Sequence, residues 1–534
     1  MRSLFRVMLG LGLALGAAGC GDYLSGPGVS QDPNNIVTLN KAGPLYIGIQ
    51  AAQPVQFEGQ IARDIALYMQ QVAGIARQQQ GFDLYLSGPS DVDTYFGAVY
   101  GASNLITGGG ALLDIHKMQQ IARKVNDSLY IGVGKVYEAL VISFAADVWG
   151  DIPYRQAADS TILQPKFDPQ LQVYADLQAQ LDSAINIFLA ATGPTNAGGS
   201  DGSEVIYAGL SADQLRAVYT QVAHSLKARL YMHVAATDAS AYAKALAEAQ
   251  LGISTPANDF LWFHDATPSG NNIWWQFEVT RSSDIGPGAA AIEILKRRIN
   301  AGVEDSARIK FLFTLTNDLL PANRGYFGYR PGGATNVQTT GGIYNGNGSA
   351  GSKYSAFNAF IDGATPPGDF RQPEITYAET QLIAAEASFH IGGTAAAQPF
   401  LDAARKNRAY GATGGAAVTF PDLPNANAPN ALPATLQNIM EEKYVALYLN
   451  PEVWSDWKRT CLPSLATAPS PGGTTPQNFS IAARLPYGQT EANANPNTPT
   501  TSSAGVAITS TSINPNQPTA CPPLTYTSSA PLGN

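Results

Sequence analysis

Cysteine is nearly absent from this chain, with three in 534 residues. Charge is scarce too, at 14% against about 25% in an average soluble protein. The net charge of −9 argues against nucleic acid as a partner. The five histidines (His116, His224, His233, His264 and His390) are scattered without zinc-ligand spacing, so they read as structural. No metal and no cofactor is implied. After the first twenty residues, no apolar run reaches the ~20 residues that a spanning helix needs. Gly, Asn, Thr, Ser, Gln and Tyr fill the space that charge leaves. Such a surface suits neutral polar ligands such as sugars, but it suits many exported proteins equally. Hydrophobic residues make up 45%, enough for a sizeable core.

The N-terminus has a plain pattern. Arg2 and Arg6 precede the apolar run Val7 to Leu15, which ends in Ala17-Ala18-Gly19-Cys20. A basic start, a short apolar core and small residues before a cysteine describe a bacterial lipoprotein signal. Residues 1–19 are expected to be removed, leaving Cys20 acylated and the body tethered beside a bilayer. Residues 20–35 are rich in Gly, Pro, Ser, Asp and Asn and read as a flexible leash. Residues 36–534 then form one body. Its end, 462–534, is rich in Pro, Ser, Thr and Asn and reads as irregular coil laid over that body. Cys461 and Cys521 are an exported pair, expected to close this segment by a disulfide.

Helical periodicity dominates the middle. Asp168-Pro169 reads as N-cap and first helical residue. Leu171, Tyr174, Leu177, Leu181, Ile185 and Phe188 follow on one face. A second helix starts near Ser211, with Leu215, Val218, Val222, Leu226 and Leu230. After a break at Thr237 to Ser240, Tyr242 to Leu251 carries Ala241, Ala245 and Ala249. Helices joined so tightly fold back antiparallel, and a small Ala face allows close approach. Glu374 to Ile391 is a further helix, stopped by Gly392-Gly393 and followed by Ala395 to Tyr410. Residues 117–147 and 433–449 also read as helices. The fold class is mainly α, with tetratricopeptide-like hairpins, long irregular loops and little β structure.

Two formal catalytic strings carry little weight. Gly198 to Gly202 matches the nucleophile elbow and Gly346 to Gly351 the dinucleotide loop, but neither has the strand-to-helix context its chemistry needs. Helical carboxylates such as Glu441-Glu442 and Asp147 read as surface charge. The long loops at 252–288 and 321–373 are more informative, because they are rich in aromatics. A sugar ring stacks its C–H face on Trp or Tyr, while its rim hydroxyls need Asn, Gln or Arg. Asn271, Asn272, Trp274 and Trp275 supply both kinds. Tyr95 with Phe96, and Tyr326, Tyr329 and Arg330, do the same. The alternative is that these rings only anchor the loops on the helices.

Four stretches together resemble the SusD/RagB family of outer-membrane nutrient-binding lipoproteins. They are Ala145 to Tyr154 (AADVWGDIPY), Lys227 to Met232 with Tyr242 to Ala245, Glu441 to Thr460 with Pro463, and Arg484 to Tyr487 with Glu491 and Asn493. The Pro/Thr/Asn-rich end after Asn493 departs from the pattern. The resemblance implies a helical body with no enzymatic activity. Its members capture oligosaccharides or other nutrients and act as the lid of a TonB-dependent, SusC-like β-barrel transporter. The helical side would face the barrel and the loop side the ligand, at the outer membrane and towards the cell exterior. The Glu441 to Arg459 block reads as structural, with Trp454 and Trp457 packing while Lys458 and Arg459 pair with acids. A surface glycosidase or other hydrolase, and a protein-binding scaffold, stay open as other classes.

Overall fold

The computed structural model describes residues 41–101, 111–159, 161–190, 202–303, 305–317, 319, 321–331, 354–358, 368–406, 409–413, 416–419, 432–466, 481–501 and 521. The expected signal peptide, Cys20 and the expected tether lie outside these residues. So do the string Gly346 to Gly351 and all of Gly198 to Gly202 except Gly202. Helix makes up 61% and strand 6%, so paired helices carry the core. From Gly43 to Asn534 the chain forms one compact unit.

The helices used below are α1 (Ala42–Ala52), α2 (Gln60–Tyr68), α3 (Arg77–Asp83), α4 (Pro89–Tyr100), α5 (Leu112–Lys124), α6 (Ser128–Trp149), α7 (Gln170–Ala190), α8 (Ala212–Ala235) and α9 (Ser240–Leu251). They continue with α10 (Ile273–Arg281), α11 (Ala289–Asn300), α12 (Ser306–Leu312), α13 (Tyr377–Lys406), α14 (Leu436–Ala446), α15 (Glu452–Thr460) and α16 (Gln489–Ala494).

One expected helix over 117–147 is two, α5 and α6. Asn126 takes a left-handed turn (φ 53°). The Asp127 carboxylate then accepts the Tyr130 N–H at 3.3 Å and starts α6. By length and composition α6 could cross a bilayer, contrary to expectation, yet 89% of its most apolar window is buried inside the protein. Gly132 lets α7 approach closely, since a Cβ there would lie 2.3 Å from the Phe188 ring. The start of α7 also differs from expectation. Asp168 turns back to accept from the N–H groups of Tyr154 and Arg155. The first helical N–H, of Gln170, is taken instead by Asp151 at 2.9 Å.

Helix α8 begins with a capping box, Ser211 and Gln214 bonding each other's backbone N–H. Its hairpin partner α9 presents Ala245 and Ala249 to Ala228 and Met232 of α8 and to Ile383, Ala384 and Ala387 of α13. Helix α13 is kinked at Gly393 (φ 74°), so its two halves form the next hairpin. It ends at Lys406. Tyr410, expected in that helix, lies in strand Ala409–Thr413, paired with Ala416–Thr419. Within the loop expected to be irregular over 252–288 lie α10 and two short strands. These are β2 (Phe260–Leu261), paired with β4 (Pro373–Ile375), and β3 (Ile285–Pro287), antiparallel to β1 (Val72–Gly74).

The four family-like stretches meet in space. His233 of α8 lies between two carboxylates, with Nδ1 3.1 Å from Asp147 and Nε2 2.8 Å from Glu452. Arg229 reaches Glu374 at 3.0 Å and Glu379 at 2.7 Å. The Leu485 N–H donates to the Val148 carbonyl, and the Tyr487 hydroxyl to the Asp151 carbonyl. Trp454 and Trp457 are buried, their indole N–H groups donating to the carbonyls of Ala482 and Pro463. Arg459 pairs with Glu386 and Asp456, as expected. Lys458 does not bond an acid. It donates to the Asp147 backbone carbonyl at 2.6 Å and lies over the Trp454 ring. Glu441 and Glu442, expected at the surface, are buried, and Glu442 is held by Arg298, Arg308 and Arg405. Cys461 and Cys521 are joined, with S–S 2.06 Å.

Candidate functional site

Helix α10 decides the fate of the Asn-Asn-Ile-Trp-Trp stretch. Asn272 is its N-cap, accepting the Trp275 N–H at 3.1 Å. The Asn272 amide donates to the Phe370 carbonyl and to Glu58, which also meets His264 at 2.8 Å. Asn271 donates to the Asp265 carbonyl and is buried. Trp274 is fully buried. These three side chains build the helix seat and are out of reach of a ligand in solution. Trp275 is half-buried and sits against Gly368. Phe277 lies two residues on, roughly 160° around the helix from Trp275, so the two rings flank opposite sides.

On the Phe277 side, the Arg63 guanidinium of α2 lies 4.4 Å above the ring. Tyr95 of α4 is half-buried beside Arg63, and burial raises its phenol pKa while Arg63 pulls it down. Its neighbour Phe96 points inward instead, edge-on to Trp149 at 5.1 Å. Burial lowers the Arg63 pKa to about 10 and raises that of the adjacent Asp64 to about 8. Burial thus favours the neutral carboxyl at Asp64, while Arg63 keeps its charge.

The site continues along the β1–β3 ribbon. Asp284, just before β3, is fully buried and held by its backbone carbonyl, which accepts from the N–H groups of Ile75 and Ala76. Its two carboxylate oxygens meet Arg77 at 2.5 Å and Arg281 at 3.4 Å. Arg281 in turn repels Arg63. Past Ile75 the ribbon carries Tyr329, buried against Ala73 and Ile75. Tyr329 can lie there because Gly286 has no side chain, as a Cβ would stand 2.7 Å from its ring. Tyr329 then serves as a floor on which the half-buried Tyr354 stacks at 3.9 Å. Arg330 faces Tyr354 and Glu293, and Lys296 lies 4.4 Å over Phe327. Burial raises the Glu293 pKa to about 7, against the pull of Arg330. Tyr326 is half-buried on the same segment.

A path of contacts runs from half-buried rings at Tyr95 and Phe277 through Arg63, Arg281, Asp284, Ile75 and Tyr329 to the half-buried Tyr354, with Phe327 and Tyr326 on the adjoining segment, and this path is the candidate strip. Of the residues picked from sequence, Tyr95 belongs to the first end and Tyr326 and Arg330 to the second. Tyr329 supports from below. Trp275 stands on the far flank of α10. Sequence reading missed Arg63, Arg77, Arg281 and Asp284 as site residues. Arg77 had a readable signal only in hindsight of its backbone, a left-handed φ of 54° in a non-glycine residue.

A strip of this kind can bind and orient. Asp284 has each oxygen committed to a guanidinium, which positions the arginines rather than freeing an acid for proton transfer. Among the described residues, Asp147, His233 and Glu452 are a group with ligand atoms close enough for a metal ion. Yet His233 turns a different nitrogen to each carboxylate, which is the geometry of a sandwiched imidazolium rather than a chelate. The other histidines pair with Glu138, Glu248 and Glu58 or stack on Tyr242. On the helical side, an open cleft of about 560 Å³ is lined by His116, Lys117, Arg123, Glu138 and Gln180 among others. No Phe, Tyr or Trp lines it, so it offers no broad platform for a sugar face.

Comparison with known proteins follows the same lines. The chain resembles a chitin-binding protein of known structure, with a TM-score of 0.63 and 19% identity over 85% of this chain and 94% of that one. A SusD homologue from Bacteroides uniformis matches with a TM-score of 0.61 and 18% identity over 85% and 94%. A SusD/RagB family protein from Bacteroides thetaiotaomicron gives 0.58 and 17% over the same shares. At these identities the likeness speaks for the fold. No curated protein matches the chain by sequence. Residues 60–488 match the SusD-like model described as starch-binding and associating with the outer membrane, and that span holds all four family-like stretches up to Tyr487: the chain belongs to the SusD-like family.

Proposed function

We propose that this protein captures an oligosaccharide nutrient at the aromatic–arginine strip and acts as the lid of a TonB-dependent, SusC-like transporter barrel. The observation that carries the reading is the strip itself. Rings at Tyr95, Phe277 and Tyr354 are left half-buried beside guanidinium groups, while their neighbours Phe96, Trp274 and Tyr329 are spent in the core. Preformed rings with polar groups at their edges fit a sugar's apolar face and hydroxyl rim. The function is binding and handover, without turnover. The lipid on Cys20 and the leash to residue 35 hold the body at the outer membrane, facing the cell exterior. The helical-repeat side, with the cleft of α5 to α7 that no Phe, Tyr or Trp lines, faces the barrel.

Co-purification tests the lid role. The tagged, lipidated protein is extracted from its native membrane in mild detergent. A stoichiometric large β-barrel transporter is the expected companion. Its absence, under conditions that keep other lipoprotein complexes intact, overturns the transport role and leaves only the binding role to test.

A further inference from the structure

The charge on the strip has a sign. The whole protein is net negative, at −9. Yet Arg77 and Arg281 converge on one buried carboxylate, Asp284, Arg281 repels Arg63, and the far end adds Arg330 and Lys296. The nearby acids are Asp64, which is fully buried, Asp91, which is committed to the Gly88 N–H at 2.8 Å, and Glu293, which is mostly buried. Arg63 is buried beside Phe277, whereas Arg77 and Arg281 are open to solvent. The Arg77 side chain is 61% exposed and that of Arg281 45%, against 0% for Asp284.

The geometry is as pointed as the charge. Arg77 and Arg281 each spend one guanidinium nitrogen on Asp284. A guanidinium has five N–H donors in a planar fork, so both head groups keep donors for a ligand. They flank the same carboxylate, one at each oxygen. Arg77 is held there in a left-handed backbone conformation, a strained placement of the kind found at ligand sites.

We propose that Arg77 and Arg281 form an anion subsite within the strip, and that the oligosaccharide this protein takes is acidic, with a uronate-type carboxylate bridging the two guanidiniums. This rests on the strip being the ligand site. A planar carboxylate accepts two parallel N–H bonds from a guanidinium fork. It also relieves the repulsion between two arginines that share one acid. The rings at Tyr95 and Phe277 take the apolar face of the same or the next sugar unit.

The test is affinity electrophoresis of the full chain in mild detergent. Gels contain polygalacturonate, alginate or hyaluronate, or the neutral dextran, galactan or amylopectin, with polyglutamate as a charge control. At least one acidic polysaccharide is expected to retard the protein more than any neutral one or polyglutamate. The Arg77→Gln/Arg281→Gln double variant is expected to lose at least tenfold in affinity. The Arg77→Lys/Arg281→Lys variant keeps Asp284 compensated, so it guards against misfolding. It is expected to bind more weakly than the native protein, because ammonium groups cannot form the fork. Acidic binding left intact in a folded double variant, or matched by polyglutamate, overturns the inference. Retardation by neutral polymers alone, abolished by Phe277→Ala, overturns the acidic specificity and leaves the strip reading standing. No retardation by any polysaccharide overturns both.

Discussion

Single side chains sort into those that hold the site and those that face out, and substitution separates them. Trp274→Ala removes a fully buried indole and is expected to cost about 3–5 kcal/mol of stability by denaturant unfolding. Phe277→Ala, on a half-buried ring over which Arg63 lies, is expected to leave the melting temperature nearly unchanged. It should weaken saccharide binding about tenfold, or about 1.4 kcal/mol by calorimetry. Equal effects of both on stability would place Phe277 in the core. Asp64 offers a pH test. Burial raises its carboxyl to about 8, so the native state holds a proton that the unfolded chain has already lost above the ordinary carboxylate range. Stability is therefore expected to fall as pH rises from about 4 towards 8. Melting curves of Asp64→Asn, which has no such proton to lose, should lack that part of the slope.

Elements were legible where one face repeats and opaque where a distant residue intervenes. The faces of α7, α8 and α9 follow directly from their three-and-four spacing, and Gly392-Gly393 marks the kink in α13. The split between α5 and α6 was missed, because a left-handed Asn126 and a capping Asp127 look like ordinary polar helix residues. The start of α7 was misread, because Asp151 lies far enough back in sequence to escape a local reading. Close packing at the element scale can be tested at Gly132. Gly132→Ala puts a methyl 2.3 Å from the Phe188 ring, so a loss of about 1–3 kcal/mol is expected in thermal unfolding. Phe188→Leu should restore part of it. Full stability of the single variant would show that α6 and α7 can part without cost.

Across the whole molecule, the family-like stretches turn out to be the scaffold. Asp147, Arg229 and Glu452 come from three of them, His233 directly follows the second, and Leu485 and Tyr487 of the fourth pack onto the end of the first. Burial opposes the charge on His233, but Asp147 and Glu452 raise its pKa to about 10. The stability this ion pair contributes is complete below the unfolded imidazole value and is lost as pH rises through about 10. His233→Gln leaves buried carboxylates uncompensated and is expected to cost about 3–5 kcal/mol at pH 6, with less difference from native at pH 10. A constant difference across that range would rule out a charged His233. At the same scale, Cys20→Ser is expected to move the protein from the membrane fraction to the soluble fraction, read by fractionation and blotting. Retention of the unacylated protein in the membrane would remove the lipid-anchor proposal.

By itself the sequence determined the helical class, the hairpin pairing and the family, because amphipathic period, caps and the scaffold motifs are local patterns that survive reading one residue after another. It also pointed to aromatic stretches on the loop side as the candidate site. Only the tertiary structure decided which rings remain half-exposed. Trp274 and Trp275 are adjacent in sequence and equal in chemistry, and the rotation of about 100° per helical residue sends one into the core and the other to the flank. The arginine pair was beyond any local reading, since Arg77 and Arg281 lie far apart in sequence and become neighbours only where β1 meets β3 and both close on the buried carboxylate of Asp284.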